Sequence, residues 1–208
     1  MRVSWYFDFI SPFAYLNWPK VRALAERQPV EFKPLLFAGL LDRNGQKGPA
    51  EIPAKRRFTY RHVIWLARQQ GMSLHFPPAH PFNPLPALRL CVAAGTTPEA
   101  ISAIFNWIWA EGRAGDSFEA LAPLIKRFGI EDHALLATDE VKATLRRNFD
   151  DAIAEEVFGV PTLSLDGQLF WGNDAHAFAL AAIADQNLLS SPEMQEIDDL
   201  PIGAARRV

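Results

Sequence analysis

The stretch "VSWYFDFISPFAYLNW", residues 3–18, contains two kinds of local order and the break between them. Residues 3–9 are apolar, aromatic or β-branched except for Ser4 and Asp8, which is the pattern of a strand covered on both faces. At Ser11-Pro12 the pattern changes. A serine oxygen can accept an orphan N–H of a helix, and a proline in the first turn lacks only an N–H that would have gone unpaired. The sequence therefore predicts a buried strand, a sharp turn and a helix over 12–28 with Ser11 as its cap. Phe13, Leu16, Val21 and Leu24 recur at helical spacing, and Pro19 is expected to kink the helix. A helix N-terminus that follows a strand is a place to hold an anion, so Ser11 is the first candidate for chemistry.

Working outward, a second strand is expected over 30–37. Strand, helix and strand at this spacing form a βαβ unit with parallel pairing. Residues 39–53, "GLLDRNGQKGPAEIP", read as a long surface loop because they are rich in Gly, Pro and polar residues. Helical patterns follow over 53–70, 84–94, 98–110, 117–128 and 139–158, with a turn near 131–136 and no strand between them. Trp107 and Trp109 cannot share one side of a helix, so that helix is either covered broadly or forms a partner surface. Strand character returns at residues 162–165 and 168–171, which flank Asp166-Gly167, a strong two-residue hairpin signal. A last helix is expected over 174–184, with a mostly irregular tail over 187–208. This order makes the chain α/β, with a thioredoxin-like domain over 1–38 and 159–208 and an inserted all-helical domain over 39–158.

Composition narrows the options. The chain has 208 residues, 49% hydrophobic and 22% charged, which is ordinary for a globular protein. A formal net charge of −3 gives no reason to expect a nucleic acid or an anionic membrane as partner. Cys91 is the single cysteine, so no intrachain disulfide can form. It lies in an apolar helical pattern and reads as a small buried side chain. The N-terminal residues lack the sections of a signal peptide, and the expected location is the cytoplasm.

Thioredoxin-like enzymes commonly carry a Cys-x-x-Cys pair at the start of the first helix. Here the four residues are Ser11-Pro12-Phe13-Ala14, so the chain cannot exchange disulfides by itself. The helix terminus would still stabilise a thiolate brought by a ligand, and Ser11 could donate a hydrogen bond to it. Two other roles for Ser11 stay open: a cap alone, or a nucleophile. The latter has no Gly-x-Ser-x-Gly turn and no evident base among His62, His75, His80, His133 and His176.

Three further elements could hold such a ligand. Val160-Pro161 stands just before the hairpin. A cis bond there would leave the backbone N–H and C=O of Val160 to pair with a short extended peptide; otherwise Pro161 simply starts a strand. Asn173 and Asp174 open the last helix and could cap it, or meet the α-carboxylate and ammonium of a ligand, or do both. Lys55-Arg56-Arg57 with Arg61 forms a basic run that is either a solvated face or, at Lys55, a carboxylate contact. Trp5, Phe9 and Phe13 could line an aryl pocket or pack in the core. Metal and nucleotide motifs are absent from the sequence.

On "YFDFISPFAYL", "GPAEIPAKRRF" and "FGVPTLSLDGQLFWGND", the chain resembles the 2-hydroxychromene-2-carboxylate isomerases and their relatives, the kappa-class glutathione transferases. The resemblance covers nearly the whole chain. It implies a fold shared with bacterial disulfide oxidoreductases of DsbA type, glutathione as cofactor, a small aromatic substrate and a homodimer. By the same resemblance Ser11 would hold the glutathione sulfur as a thiolate. Val160, before the family's cis-proline Pro161, would pair with the cysteinyl part. Asn173 and Asp174 would meet the γ-glutamyl end, and Lys55 and Gln46 the glycine end. The chain departs from the family at Ala175, where arginine is common, and at His62, where aspartate is common. The implied activity is glutathione-dependent isomerisation of a 2-hydroxychromene-2-carboxylate to a trans-benzylidenepyruvate by reversible thiolate addition. A kappa-type transferase and a non-catalytic thioredoxin-like binding module are the alternatives.

Overall fold

Strand β1, Val3–Phe7, is buried along its whole length and lies inside a four-stranded sheet of order β2-β1-β3-β4. The computed structural model describes residues 1–197 and 200–204 of the chain. Strand β2, Glu31–Pro34, pairs parallel to β1, with Trp5 opposite Phe32. Strands β3, Thr162–Leu165, and β4, Gln168–Trp171, form the expected hairpin, and β3 runs antiparallel to β1 with Trp5 opposite Leu163. Asp166 and Gly167 both have positive φ, 49° and 91°, as a two-residue turn matched to strand twist requires.

Because β1 alternates, it feeds two cores. Val3, Trp5 and Phe7 join the larger cluster, where Trp5 stacks on Phe7 with ring centroids 4.3 Å apart and on Trp18 at 5.4 Å. Tyr6 faces the other side, against Leu35, Leu40, Val157 and Val160. Helix α1, Pro12–Ala25, covers the larger cluster and contributes Leu16, Trp18, Val21 and Leu24. Pro19 is on its exposed side and the helix runs through it.

Between β2 and β3 lie α2 (Phe37–Arg43), α3 (Pro53–Gln69), α4 (Leu85–Ala93), α5 (Pro98–Phe105), α6 (Ala122–Arg127) and α7 (Asp139–Ala154), with no strand among them in the described residues. The fold is a thioredoxin-like sheet carrying a helical insertion. Helices α8, His176–Ala184, and α9, Pro192–Gln195, follow the hairpin. None of the described helices is long and apolar enough to cross a membrane.

Several boundaries differ from the sequence reading. The second strand ends at Pro34 and helix α2 begins at Phe37, within and just before the span expected to be loop. Tertiary packing forms that helix: Gly39 lies so close to the Phe149 ring of α7 that a Cβ would come within 2.8 Å of it. A larger residue at that point would have to displace the Phe149 ring. The helix expected over 117–128 begins at Ala122, because Ser117 Oγ accepts the Ala120 N–H and forms a separate turn first. Helix α7 stops at Ala154, not at 158. Glu156 takes positive φ, 59°, and the Val157 N–H closes back on Ala152 O at 2.8 Å, a C-terminal motif achieved here without glycine.

The tryptophan helix is covered at Trp109 and only partly covered at Trp107. After α5 the chain makes one π turn, Asn106–Ala110, with the Glu111 N–H bonded to Asn106 O at 2.9 Å. Trp109 is fully buried, and Trp107 is half-buried with its N–H on Ala114 O. In the tail, residues 188–190 and 192–195 are helical; residues 198–199 and 205–208 of the stretch expected to be irregular lie outside the described residues.

Candidate functional site

Ser11 sits where the sequence places it, between the end of β1 and the first turn of α1. It is 7% exposed, and its Oγ accepts the Ala14 N–H at 3.2 Å. That bond uses one lone pair and leaves the hydroxyl hydrogen. The nearest acceptor is the Val160 carbonyl at 3.5 Å, the outer limit of a hydrogen bond. The hydrogen is therefore weakly held and available to a better acceptor.

The turn before Ser11 is built by Asp8. Its Oδ1 accepts the Ile10 N–H at 3.1 Å, its Oδ2 accepts the Phe37 N–H at 2.8 Å, and its carbonyl accepts the Ser11 N–H at 3.1 Å. These bonds end the strand at Phe7, two residues earlier than the apolar pattern suggests. Asp8 is fully buried. Burial pushes its pKa up to about 7, although the backbone N–H groups of Phe37, Ile10 and Phe9 pull the other way.

Val160-Pro161 is a cis peptide. The Val160 N–H has no hydrogen-bond partner among the described residues, and its carbonyl has only the long contact to Ser11. The Pro161 carbonyl accepts the Gly172 N–H at 2.9 Å, which ties this segment to the loop before α8. Ser11, Val160, Pro161 and the loop 172–174 are thus joined by bonds.

In that loop Asn173 is 6% exposed and Asp174 is exposed. Neither caps α8, contrary to one reading of the sequence. The residue before the helix is Ala175, which offers no side-chain bond. Asn173 is occupied by Lys20 of α1, whose Nζ donates to Asn173 Oδ1 at 3.0 Å and to its carbonyl at 3.2 Å. Asp174 folds back over Gly172, its Oδ1 2.5 Å from where a Cβ would stand, and Gly172 has φ +100°. Burial lowers the pKa of Lys20, and the neighbouring Asp174 carboxylate partly restores it. His176 next along is buried, its Nδ1 has no partner among the described residues, and burial and then Lys20 lower its pKa.

Gln46 and Lys55 are exposed, in the connection after α2 and in the first turn of α3, and neither side chain makes a hydrogen bond among the described residues. His62, further along α3, stands 6.2 Å from the Phe13 ring and 6.1 Å from Trp65. Phe58 and Trp65 are exposed on the same helix. Phe13, two residues beyond Ser11, thus has His62 of α3 as its aromatic neighbour. Trp5 and Phe9, the other two pocket candidates, are fully buried in the core and line nothing.

Lys20, His80 and Trp109 also build the site, whereas the sequence singles out His80 only as a candidate base, Trp109 only for its place on a helix, and Lys20 not at all. The Trp109 indole N–H donates to Phe9 O at 2.8 Å, and His80 Nε2 to Ile10 O at 2.8 Å. Burial lowers the pKa of His80 and favours the neutral ring. No local pattern marks any of the three; each acts across a long sequence separation.

With this geometry established, likeness to known proteins can be placed on it. A 2-hydroxychromene-2-carboxylate isomerase of Pseudomonas putida is 29% identical over 184 residues, 84% of this chain and 90% of the relative. A kappa-class protein of Caenorhabditis elegans, glutathione S-transferase kappa 2, is 24% identical over 195 residues, 83% of this chain and 87% of the relative. The solved structure of a 2-hydroxychromene-2-carboxylate isomerase superposes with a TM-score of 0.75 at 23% identity, covering 93% of this chain and 99% of that one, which shows a shared fold. The sequence pattern of the DSBA-like thioredoxin domain matches residues 2–184, so this chain belongs to that family, as a member with serine and alanine where a redox-active pair would stand.

Proposed function

We propose that this chain is a glutathione-dependent isomerase that converts 2-hydroxychromene-2-carboxylate, or a close aromatic analogue, to the trans-benzylidenepyruvate. The observation that carries the proposal is the pairing of Ser11 with Val160. A weakly held hydroxyl hydrogen at a helix N-terminus faces a backbone segment whose N–H has no partner among the described residues. A peptide thiol fits that cradle, and the chain has no thiol of its own there. The sequence likeness to isomerases over most of the chain supports the choice of reaction.

Bound glutathione supplies a thiolate for reversible addition to a conjugated double bond, which frees that bond to rotate. The chain's own residues do the rest. Ser11 Oγ donates to the sulfur, and the positive end of α1 favours its charge. The Val160 N–H and C=O pair with the cysteinyl peptide units in the manner of an added strand. Asp174 meets the ammonium of the γ-glutamyl end, on a loop that Lys20 holds through Asn173. Lys55 and Gln46 reach the glycine end from the insertion. The aryl ring lies against Phe13 and His62, and the guanidinium groups of the basic run attract the substrate carboxylate.

We take the two parts of the chain to divide at 38/39 and 158/159, and the working form to be a homodimer in a reducing cytoplasm. Trp109 is buried within the chain and would not form the dimer surface, whereas Trp107 is only half-buried. Sedimentation of the purified chain tests the dimer.

The deciding experiment is a chromene-carboxylate isomerase assay with and without glutathione. Turnover that requires glutathione is expected; equal turnover without it overturns the mechanism. The kappa-class relative favours a second reading, transfer of glutathione to electrophiles. Strong activity on chlorodinitrobenzene with none on the chromene would select that reading. Calorimetry with millimolar glutathione addresses a non-catalytic binding module, which predicts no heat.

A further inference from the structure

Two successive peptide planes lead into Ser11, and each is pinned at both ends. In the Phe9–Ile10 peptide, the N–H goes to Asp8 Oδ1 and the C=O receives the Trp109 indole N–H. In the Ile10–Ser11 peptide, the N–H goes to the Asp8 carbonyl and the C=O lies 2.8 Å from His80 Nε2. Asp8 therefore holds both N–H groups from the sheet, while the insertion holds both carbonyls. A peptide unit is planar, so fixing its two ends fixes the position of the next Cα and its N–Cα bond, and the first turn of α1 sets the one remaining rotation that aims the side chain. For the second plane that side chain is Ser11.

His80 is itself anchored. A carbonyl only accepts, so the proton on its ring is at Nε2, and Nδ1 is left to accept. The Tyr60 hydroxyl of α3 lies 2.5 Å from Nδ1 and gives it its one hydrogen; the same oxygen is 2.8 Å from the His80 carbonyl, which accepts from Arg56 at 2.9 Å. The Arg56 guanidinium rests over the Tyr60 ring, 5.4 Å from its centroid. The ring sits among Tyr60, Phe76, Phe82 and Trp109, where a phenyl group would pack equally well. What imidazole adds is a pair of directed bonds on opposite sides.

We propose that His80 is a positioning residue for Ser11: with Tyr60 and Arg56 behind it, it fastens the Ile10–Ser11 peptide to α3 and aims the hydroxyl at the sulfur-binding point beside Val160. The role in aiming at sulfur rests on the glutathione reading above; the brace does not. His80 touches no reacting atom. Its effect is on the direction of one hydrogen bond, and such bonds weaken steeply with angle.

His80→Phe keeps the aromatic packing and removes both polar ring positions. His80→Gln returns an N–H donor near the place of Nε2. Tyr60→Phe loosens the anchor alone and guards against a His80→Phe chain that does not fold. In the ligand-free protein, hydrogen exchange read by mass spectrometry is expected to show lost protection of the Ile10 and Ser11 amides in His80→Phe, partial loss in Tyr60→Phe, and recovery in His80→Gln. Unchanged protection in both His80→Phe and Tyr60→Phe overturns the brace. Ultraviolet absorbance of bound glutathione is expected to show roughly tenfold less thiolate at neutral pH in His80→Phe, with near-native affinity and recovery in His80→Gln. A native thiolate fraction alongside lost amide protection overturns the aiming role. If the unaltered protein binds no glutathione, the ligand reading fails by itself, and the exchange data still decide the brace.

Discussion

The Lys20 ammonium bridges the first helix to the last loop: it lies 3.0 Å from Asn173 Oδ1 and 3.2 Å from the Asn173 carbonyl, across 153 positions of sequence. The bond puts a cation of α1 against the loop that presents Asp174, two turns below the serine.

Lys20→Met should therefore release that loop. The buried Asn173 oxygens would lose a charged donor, and loss of such a bond costs about 1–3 kcal/mol. Part of it should surface as weaker glutathione binding, by about tenfold on the usual conversion. Calorimetric titration measures this, with Lys20→Arg as the variant that keeps a cation there. An affinity unchanged in Lys20→Met would detach the loop from the ligand.

For Ser11→Ala two losses are expected, and they can be read separately. The cap bond to Ala14 N–H disappears, which lowers stability by about 1 kcal/mol. The donor to the sulfur also disappears, so the pH–rate profile should shift to higher pH while the far-ultraviolet spectrum stays native. A pH–rate profile identical to that of the unaltered protein would reject Ser11 as thiolate stabiliser.

Asp8 makes stability depend on pH in an unusual direction. Its pKa is raised to about 7 in the folded chain, against about 4 for an unfolded aspartate. Between those values the folded state binds more protons than the unfolded one, so this group's contribution is largest near pH 4 and is lost as pH rises through 7. Asp8→Asn cannot ionise. Urea unfolding of both proteins should show the mutant's deficit shrinking from pH 5 to pH 8; a constant deficit would mean Asp8 does not titrate in that window.

Cys91 is fully buried on α4, and burial pushes its thiol far up. A disulfide reagent at pH 8 should leave the native protein unmodified and label one thiol per chain in denaturant. Rapid native labelling would show that α4 opens on its own.

Local chemistry was legible in the sequence and distant chemistry was not. Ser11-Pro12 and Asp166-Gly167 declare themselves because the residues that need the conformation are the ones that adopt it. The interval 39–53 reads as loop by composition, yet its first residues belong to α2, where Gly39 packs against the ring of Phe149, over a hundred residues away. Glu156 ends α7 in a left-handed conformation that no propensity would assign to glutamate. In the site the same division holds. Ser11 and Val160 could be paired from the expected fold alone, and they meet. Asn173 read as a cap because that is what asparagine does at a helix start, but the competing donor was Lys20. Trp5 and Phe9 are pocket candidates only in a narrower core; here packing against Trp18 and Phe105 uses them up.

The π turn at Asn106–Ala110 sets a length requirement as well as a shape. It accommodates one residue more than regular helix would, and that residue brings the Trp109 indole round to the Phe9 carbonyl. Each residue of an α-helix advances about 100° around the axis. Winding the same residues as regular helix would swing the indole away from the serine's turn, even though every side chain named in the site would still be present. The stretch should accept substitution at exposed Asn106 more readily than any insertion, so insertions would be depleted there in any library selected for activity.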